Sequence, residues 1–179
     1  MNNPKITIHM VASLDGIIAK PDESVKWMES KSEYANGIDL TEEEINAFLQ
    51  SVDCYIMGSN TYESALKLGW PYGDTPVIVL TSRELKKQNE KVSFYLGDLN
   101  VLMKEKLKNF SNIWLVGGSE TIRSFLEAGL ANEVVYTIAP ILLGNGIPFF
   151  KSLTKDIQLE LYNHRAYTNG MVELSYILK

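Results

Sequence analysis

Short apolar runs rich in β-branched residues alternate along this chain with segments whose apolar residues recur every three or four positions. Runs of the first kind predict strands, and segments of the second kind predict amphipathic helices. The predicted strands span residues 5–13, 53–57, 76–81, 92–96, 112–116 and 133–139. Strands that alternate with helices are typical of a largely parallel sheet with helices on both faces.

Four segments carry helix signals. Thr41 has the capping-box spacing to Glu44, and the apolar residues that follow lie on one helix face: Ile45, Phe48, Leu49 and Val52. Further helices are predicted to begin near residue 60 and near residue 98, the latter continuing through Leu107. The last covers residues 119–129, where Gly129 suits the position just after a helix.

The pattern changes at the C-terminal end. Residues 157–161 and 172–176 alternate apolar and polar side chains, and Asn169-Gly170 lies between them. Asn-Gly is a preferred turn sequence between antiparallel strands. Residues 1–179 are therefore predicted to form one α/β domain whose mixed, mostly parallel sheet ends in an antiparallel hairpin.

Composition narrows the partners and the location. The formal net charge of −5 argues against nucleic acid, because phosphate backbones are bound by clustered Lys and Arg. No apolar stretch approaches the roughly 18 residues of a membrane-spanning helix, so no membrane partner is expected. The single cysteine, Cys54, favours a reducing compartment, the cytoplasm. Neither His9 nor His164 has a second ligand at metal-binding spacing, so no metal is expected.

The segment Val116-Gly117-Gly118-Ser119-Glu120-Thr121 follows the apolar run 113–116 and opens a predicted helix. Two glycines let the backbone turn sharply and let a ligand approach it closely. Ser119 or a neighbour could cap the helix, whose first N–H groups attract anions. The segment favours a phosphate site, and a turn without any ligand is the alternative, since a glycine pair alone is a weak signal.

A second strand-to-helix junction, Met57-Gly58-Ser59-Asn60-Thr61-Tyr62-Glu63-Ser64, resembles the Met-Gly-Arg-x-Thr-aromatic-Glu-Ser segment of dihydrofolate reductase. Two other segments resemble the reductase domain of bifunctional riboflavin biosynthesis proteins: residues 12–19, which read Ala-Ser-Leu-Asp-Gly-Ile-Ile-Ala, and residues 139–150, which contain Pro-Ile-Leu-Leu-Gly-Asn-Gly. Both families belong to one superfamily. The resemblance, closest to the riboflavin-type reductases, implies a dihydrofolate reductase-like α/β/α fold with NADPH as hydride donor.

The two glycine junctions can also be interpreted physically. A sheet that brings their strand ends together would direct two helix N-termini at one crevice, which suits a pyrophosphate. The resemblance assigns Thr61 and the glycine pair to this same contact. The cofactor-binding residues predicted here are Gly58, Ser59, Thr61, Val116, Gly117, Gly118, Ser119, Glu120 and Thr121.

The adenosine end of the cofactor is predicted to lie at Thr81-Ser82-Arg83, which matches the family's loop there. Two hydroxyls and a guanidinium suit a ribose 2′-phosphate. A helix cap with an exposed arginine is the alternative interpretation. Ser59 stands where dihydrofolate reductase has Arg, so a preference for NADPH over NADH depends mainly on Ser82 and Arg83.

At the other end of the cofactor, the segment from Val11 to Ala19 is expected to surround the nicotinamide. Ile18 supplies an apolar contact there, and Trp27 closes the loop. Hydride transfer needs close stacking and exclusion of water. Asp15 is a candidate substrate contact, although Asp-Gly is more typical of a tight turn.

The acid that would assist reduction lies, in dihydrofolate reductase, on the helix before the second strand. Glu42, Glu43 and Glu44 occupy that region, and counting back from Gly58 favours Glu42. The helix dipole also explains an acidic first turn without any substrate, and Glu44 is expected to cap the helix. Thr137 matches a threonine that faces the pterin in dihydrofolate reductase.

The resemblance implies an NADPH-dependent reductase of a small heterocycle, similar to the riboflavin-pathway enzyme that reduces 5-amino-6-(5-phosphoribosylamino)uracil. Two departures are Val116, where that family usually has Glu, and the lack of a recognisable zinc deaminase segment. The alternatives are a dihydrofolate or pterin reductase and a non-catalytic dinucleotide-binding module. A homodimer is expected from the riboflavin-type relatives, with Pro148-Phe149-Phe150 and the hairpin either at the interface or in the core.

Overall fold

The computed structural model describes residues 3–179. Its strands are β1 (Lys5–Ser13), β2 (Ile17–Ala19), β3 (Cys54–Gly58), β4 (Val77–Leu80), β5 (Val92–Tyr95), β6 (Asn112–Gly117), β7 (Glu133–Ala139), β8 (Ile147–Pro148), β9 (Leu159–Ala166) and β10 (Val172–Leu178). Its α-helices are α1 (Glu42–Ser51), α2 (Ser59–Lys67), α3 (Leu99–Glu105) and α4 (Ser119–Glu127). Within these residues every helix is too short or too polar to traverse a lipid bilayer.

Eight strands form one sheet in the order β5-β4-β3-β6-β1-β7-β10-β9. The first six strands in this order, β5 through β7, are parallel to one another, whereas β10 pairs antiparallel with both β7 and β9. Strands β2 and β8 form a separate antiparallel pair. The prediction of a mixed, mostly parallel sheet that ends in an antiparallel hairpin is confirmed.

The helices cover both faces of the sheet. Because successive strand side chains point to opposite faces, Ile56 and Met57 of β3 enter different cores. Ile56 packs in the core that includes Leu102 of α3 and Phe125 of α4. Met57 packs with Tyr62 of α2, and Phe48 of α1 lies against the same core. The fold is therefore the expected three-layer α/β/α arrangement.

A crevice lies where the chain leaves the neighbouring strands β3 and β6 towards opposite faces of the sheet. These strands are neighbours, yet α2 follows β3 onto one face and α4 follows β6 onto the other. Ligands of open α/β sheets bind at such a switch point, beyond the carboxyl ends of the strands. The sheet thus places both glycine junctions at one edge.

Several boundaries differ from the prediction. The short pair β2 and β8 was not predicted, because strands of three and two residues carry no periodicity. The helix predicted through Leu107 ends at Glu105, and a 3₁₀ turn spans Leu107–Asn109. The first hairpin strand is Leu159–Ala166, so it begins later and extends further than residues 157–161.

Phe149 belongs to the core. Its side chain is fully buried and stacks on Tyr136 with ring centroids 5.0 Å apart. Phe150 is partly exposed beside it. Of the two interpretations of the Pro148-Phe149-Phe150 segment, the structure supports a core edge for Phe149.

Candidate active site

The two glycine junctions adjoin each other. Gly58 is the N-cap of α2 and Gly118 is the N-cap of α4. A Cβ atom on Gly58 would lie 3.9 Å from the Gly118 nitrogen, and one on Gly118 would lie 3.5 Å from the Thr61 hydroxyl. The N-termini of both helices therefore open into one crevice.

Neither of these helices is capped by a side chain, in contrast to the other two. The Thr41 and Glu44 capping box closes α1, and the Asp98 carboxylate accepts hydrogen bonds from the first N–H groups of α3. At α2 and α4 the N-cap residue is a glycine without a side-chain acceptor. The unpaired N–H groups and the dipoles of α2 and α4 are thus available to an anion.

A cleft of about 510 Å³ extends from these junctions towards β2. Ile18 lines the cleft, together with Val25, which precedes the 3₁₀ turn Lys26–Met28, and Met28, which ends it. The predicted residues that line the cleft are Ile18, Gly58, Ser59, Thr61, Gly118, Ser119, Glu120 and Thr121. The lining of the cleft thus includes both glycine junctions and the apolar side chains of Met10 and Ile18.

Three of the predicted contacts have other partners in the structure. Ser119 is buried and its hydroxyl donates to the Pro148 carbonyl, so the hydroxyl neither caps α4 nor faces the cleft freely. Glu120 pairs with Arg123 and Lys151, and their hydrogen bonds lower its pKa to about 2. The Val116 side chain is half-buried against the core of α1 and α2.

The backbone at position 117 requires a glycine. Its φ of +119° lies in a region that other residues avoid, and a Cβ atom there would lie 2.8 Å from the Met10 Cε. The Gly117-Gly118 peptide bond is cis. The second glycine of the pair, Gly118, has no such steric demand from the fold and borders the cleft directly.

The segment after β4 lies at the same edge of the sheet. The Thr81 hydroxyl accepts a hydrogen bond of 2.9 Å from the Arg83 backbone nitrogen. The Arg83 guanidinium donates to Glu63 at 2.7 Å and to Asn60 at 3.1 Å. Thr81 thus shapes a local turn, Arg83 is tied to α2, and Ser82 is exposed between them.

Asp15 ties two loops together. It accepts hydrogen bonds from the Ser13 hydroxyl at 2.5 Å, the Leu143 nitrogen at 3.1 Å and the Gly144 nitrogen at 2.6 Å. These bonds, that of Ser13 foremost, lower its pKa to about 2. Its carboxylate therefore holds the turn between β1 and β2 against the segment before β8. A contact between Asp15 and substrate stays a prediction.

Replacing Asp15 by asparagine is expected to destabilise the fold at neutral pH. Because the native pKa of about 2 lies below the ordinary value of 3.8, the ionised carboxylate contributes stability above that ordinary value. The contribution is lost as the pH falls towards 2. Denaturant unfolding at a series of pH values should show that the free energies of unfolding of the wild type and Asp15→Asn become more similar as the pH falls. The exposed Asp156→Asn control should have the free energy of unfolding of the wild type throughout. A gap that does not depend on pH would contradict this role.

A second cavity of about 790 Å³ lies between α1 and the sheet. Val11, Thr137 and Glu173 line it together with His9 and Trp114, and Met10 lines both this cavity and the cleft. Val11 and Thr137 are partners in the pairing of β1 with β7, near the carboxyl ends of both strands. The cavity therefore begins next to the apolar end of the cleft.

Polar groups converge on one wall of this second cavity. The Thr137 hydroxyl donates to Glu173 Oε2 at 3.4 Å, and His9 Nε2 lies 3.9 Å from the same oxygen. Burial lowers the pKa of His9 to about 4, so its imidazole is neutral at neutral pH. Burial, and then the charge of Glu173, raise the pKa of Tyr167. Glu173 is the carboxylate nearest Thr137 in this arrangement.

Both Glu42 and Glu44 are exposed in the first turn of α1, but Glu44 lines the cavity and Glu42 does not. The Thr41 backbone N–H, foremost, and Arg165 lower the pKa of Glu44. The acid predicted on α1 stays a prediction, and Glu173, which lies on β10 directly opposite Thr137, is a second candidate that the sequence did not reveal. The alternating hairpin pattern placed Glu173 on a strand, but the pairing of β10 with β7 was needed to find its partner.

Within residues 3–179, no three His, Cys, Asp or Glu side chains converge in a way that could hold a metal ion. Cys54 is buried, and its burial, helped by Asp53, raises the thiol pKa to about 12.

Comparisons with known proteins agree with this geometry. The family model described as the RibD C-terminal domain matches residues 4–173. The chain is 34% identical over 177 residues to the uncharacterized protein YwjB of Bacillus subtilis, covering 97% of both chains. A crystal structure from Shewanella sp. PV-4, named for riboflavin biosynthesis, has a TM-score of 0.82 at 27% identity and covers 98% of this chain and 99% of its own. The deaminase/5-amino-6-(5-phosphoribosylamino)uracil reductase of Thermotoga maritima has a TM-score of 0.70 at 15% identity, and the match spans 99% of this chain but 57% of that protein.

Proposed function

Because the chain belongs to the family of RibD C-terminal domains, we propose that it is an NADPH-dependent reductase of a small heterocyclic substrate, resembling 5-amino-6-(5-phosphoribosylamino)uracil reductase. Family membership supports oxidoreductase chemistry. The observation that carries the proposal is the meeting of two open helix N-termini in one crevice beside a second cavity.

The residues of the cleft fit such a cofactor. The N–H groups at the start of α2 and α4 would hold the diphosphate, and the bare Gly118 leaves room beside them, whereas the space beside Gly58 is taken by the Thr121 hydroxyl. Thr61 and Thr121 bring hydroxyl groups to the same place, and Ile18 supplies an apolar surface further along. When bound, NADPH supplies a hydride from its nicotinamide ring.

The second cavity would hold the acceptor. Val11 and Thr137 stand where it adjoins the cleft, so a flat heterocycle there would lie next to the cofactor end of the site. Phe48 and Trp114, with ring centroids 5.1 Å apart, form an apolar wall that excludes water. Thr137 and Glu173 provide the polar groups that orient the ring.

A preference for NADPH over NADH would depend on Arg83. Replacing Arg83 by alanine is expected to weaken NADPH binding about tenfold and to leave NADH binding unchanged, because only NADPH carries the 2′-phosphate. The bidentate contact of Arg83 with Glu63 keeps this effect moderate, since the phosphate must share the guanidinium. Fluorescence titrations with both nucleotides measure it, with exposed Lys87→Ala as the matched control. Equal losses for both nucleotides would contradict the assignment.

A dihydrofolate or pterin reductase is the second candidate, favoured by the hydroxyl and carboxylate of Thr137 and Glu173 at the cavity wall. Titration with NADPH, followed by the loss of its absorbance with a panel of pyrimidines and pterins, separates the candidates. Turnover of a uracil derivative or of a pterin identifies the acceptor. Binding of NADPH without turnover of any member would instead favour a dinucleotide-binding module, and no binding would refute the proposal.

We further propose that the protein is a cytoplasmic homodimer. The buried, reduced thiol of Cys54 supports a reducing location. Leu159, Leu161 and Tyr162 are exposed on β9 at the edge of the sheet, which supports an interface there. Sedimentation at micromolar concentration should show a dimer, and a monomer alone would refute this part.

A further inference from the structure

Acidic side chains outnumber permanent cations in the lining of the second cavity. Within the described residues, three glutamates and two permanent cations line it. Lys5 lies 2.9 Å from Glu133, and Arg165 lies 3.1 Å from Glu44. Both cations are therefore already paired with an acid of the same cavity, and Glu173 is the acid left over.

Within the described residues Glu173 forms no ion pair with a lysine or arginine, because Arg165, its partner in the pairing of β10 with β9, pairs instead with Glu44. The Glu173 side chain is 17% exposed, and the Thr137 hydroxyl and the His9 imidazole approach one of its two oxygens. A partly buried carboxylate needs donors or positive charge to replace the water it loses. The neutral His9, the long hydrogen bond from Thr137 and the nearby Tyr167 hydroxyl leave at least one of the roughly four lone-pair sites of the Glu173 carboxylate for a ligand.

An anion would find no equivalent compensation in this cavity. Helix α1 borders it, but the capping box occupies the N-terminus of α1, and the first turn there carries Glu42, Glu43 and Glu44. The helices with open N-termini, α2 and α4, face the cleft instead. In the part of the chain that the structure describes, the sites suited to phosphate and to the acceptor are thus separate.

We propose that the second cavity selects an unphosphorylated heterocycle that presents ring or amino N–H donors to Glu173, and that it discriminates against acceptors carrying a phosphate. This inference rests on the proposed function and narrows its substrate class. A donor-rich heterocycle gains charge-assisted hydrogen bonds from the carboxylate, whereas a phosphate dianion meets an excess negative charge. The acceptor would then differ from the phosphoribosyl compound in the name of the Thermotoga maritima enzyme.

Two matched pairs of probes test the proposal. The first pair is 5-amino-6-(5-phosphoribosylamino)uracil and the same compound with its phosphate removed enzymatically beforehand. The second pair is 7,8-dihydroneopterin and its monophosphate. Dissociation constants are measured by calorimetry on the protein saturated with NADP⁺, which permits binding without turnover.

We expect the unphosphorylated member to bind at least about tenfold more tightly in each pair that binds, because the phosphate adds repulsion without a partner. Equal or tighter binding of a phosphorylated member would overturn the inference. Binding of NADP⁺ without binding of any probe would also overturn it, while leaving the cofactor part of the proposed function intact. No binding of NADP⁺ would refute the proposed function itself.

A substitution identifies Glu173 as the source of the preference. Glu173→Gln keeps the shape of the side chain and is expected to weaken binding of the unphosphorylated probes about tenfold. The two dissociation constants within each pair should therefore become more similar. Glu160→Gln on β9, which removes a carboxylate paired with Lys179 at the surface, is the matched control. Unchanged discrimination in Glu173→Gln, with NADP⁺ binding retained as evidence of folding, would contradict the role of Glu173.

Discussion

Replacing Gly118 by alanine is expected to weaken NADPH binding about a hundredfold, because each charge-assisted hydrogen bond lost to the diphosphate contributes about 1.5–3 kcal/mol. The fold should tolerate the change. Gly118 has φ −74° and ψ −163°, which alanine adopts readily, and the new Cβ would lie 3.5 Å from the Thr61 hydroxyl, an ordinary contact. The methyl group would instead stand between the two helix N-termini, where the diphosphate has to reach both backbones.

Fluorescence titration with NADPH and thermal unfolding measure the two parts of this expectation. Ser124→Ala is the control, because Ser124 lies on the same helix without lining the cleft, and its hydroxyl donates to the Thr121 backbone carbonyl. Its affinity for NADPH should match that of the wild type. An unchanged affinity in folded Gly118→Ala would contradict the position of the diphosphate, and a loss explained by unfolding would contradict the expected tolerance of the fold.

Replacing Phe125 by alanine is expected to cost about 3–5 kcal/mol of the free energy of unfolding, the usual range for deleting a buried aromatic ring. The Phe125 side chain is fully buried in the core between α4 and the sheet. Small domains are stable by about 5–15 kcal/mol, so this loss removes a large share of the total. Because Phe125 anchors the helix whose N-terminus opens into the cleft, cofactor binding should weaken as well.

Denaturant unfolding measures the stability of this variant. Leu142→Ala is the control, since that side chain is 69% exposed and its removal should cost less than about 0.5 kcal/mol. A loss below about 1 kcal/mol in Phe125→Ala would show that the helix is held by other contacts.

Local sequence signals were sufficient for most of the fold. The capping box of Thr41 and Glu44 formed as its spacing predicts, and the glycine junctions of β3 and β6 opened α2 and α4. These features depend on residues a few positions apart. The pair of β2 with β8 depends on contacts between segments more than a hundred residues apart, which periodicity does not encode.

The site was harder to predict than the fold because its partners come from distant strands. Asp15 could be read as a turn residue, but the Leu143 and Gly144 N–H groups that hold it become visible only in the structure. Counting along α1 selected Glu42, whereas the helix rotation brings Glu44 to the cavity. Val116 packs against the core of α1 and α2, and its contact with a cofactor stays a prediction.

The most direct test of the central claim is a titration of isotope-labelled protein with NADP⁺, followed by the amide chemical shifts of each residue. We expect the amides of residues 58–61 and 118–121 to shift most and to saturate together at one ligand concentration, because both helix N-termini bind the same diphosphate. Saturable binding that shifts only one of these segments, or neither, would contradict a diphosphate held between the two helices.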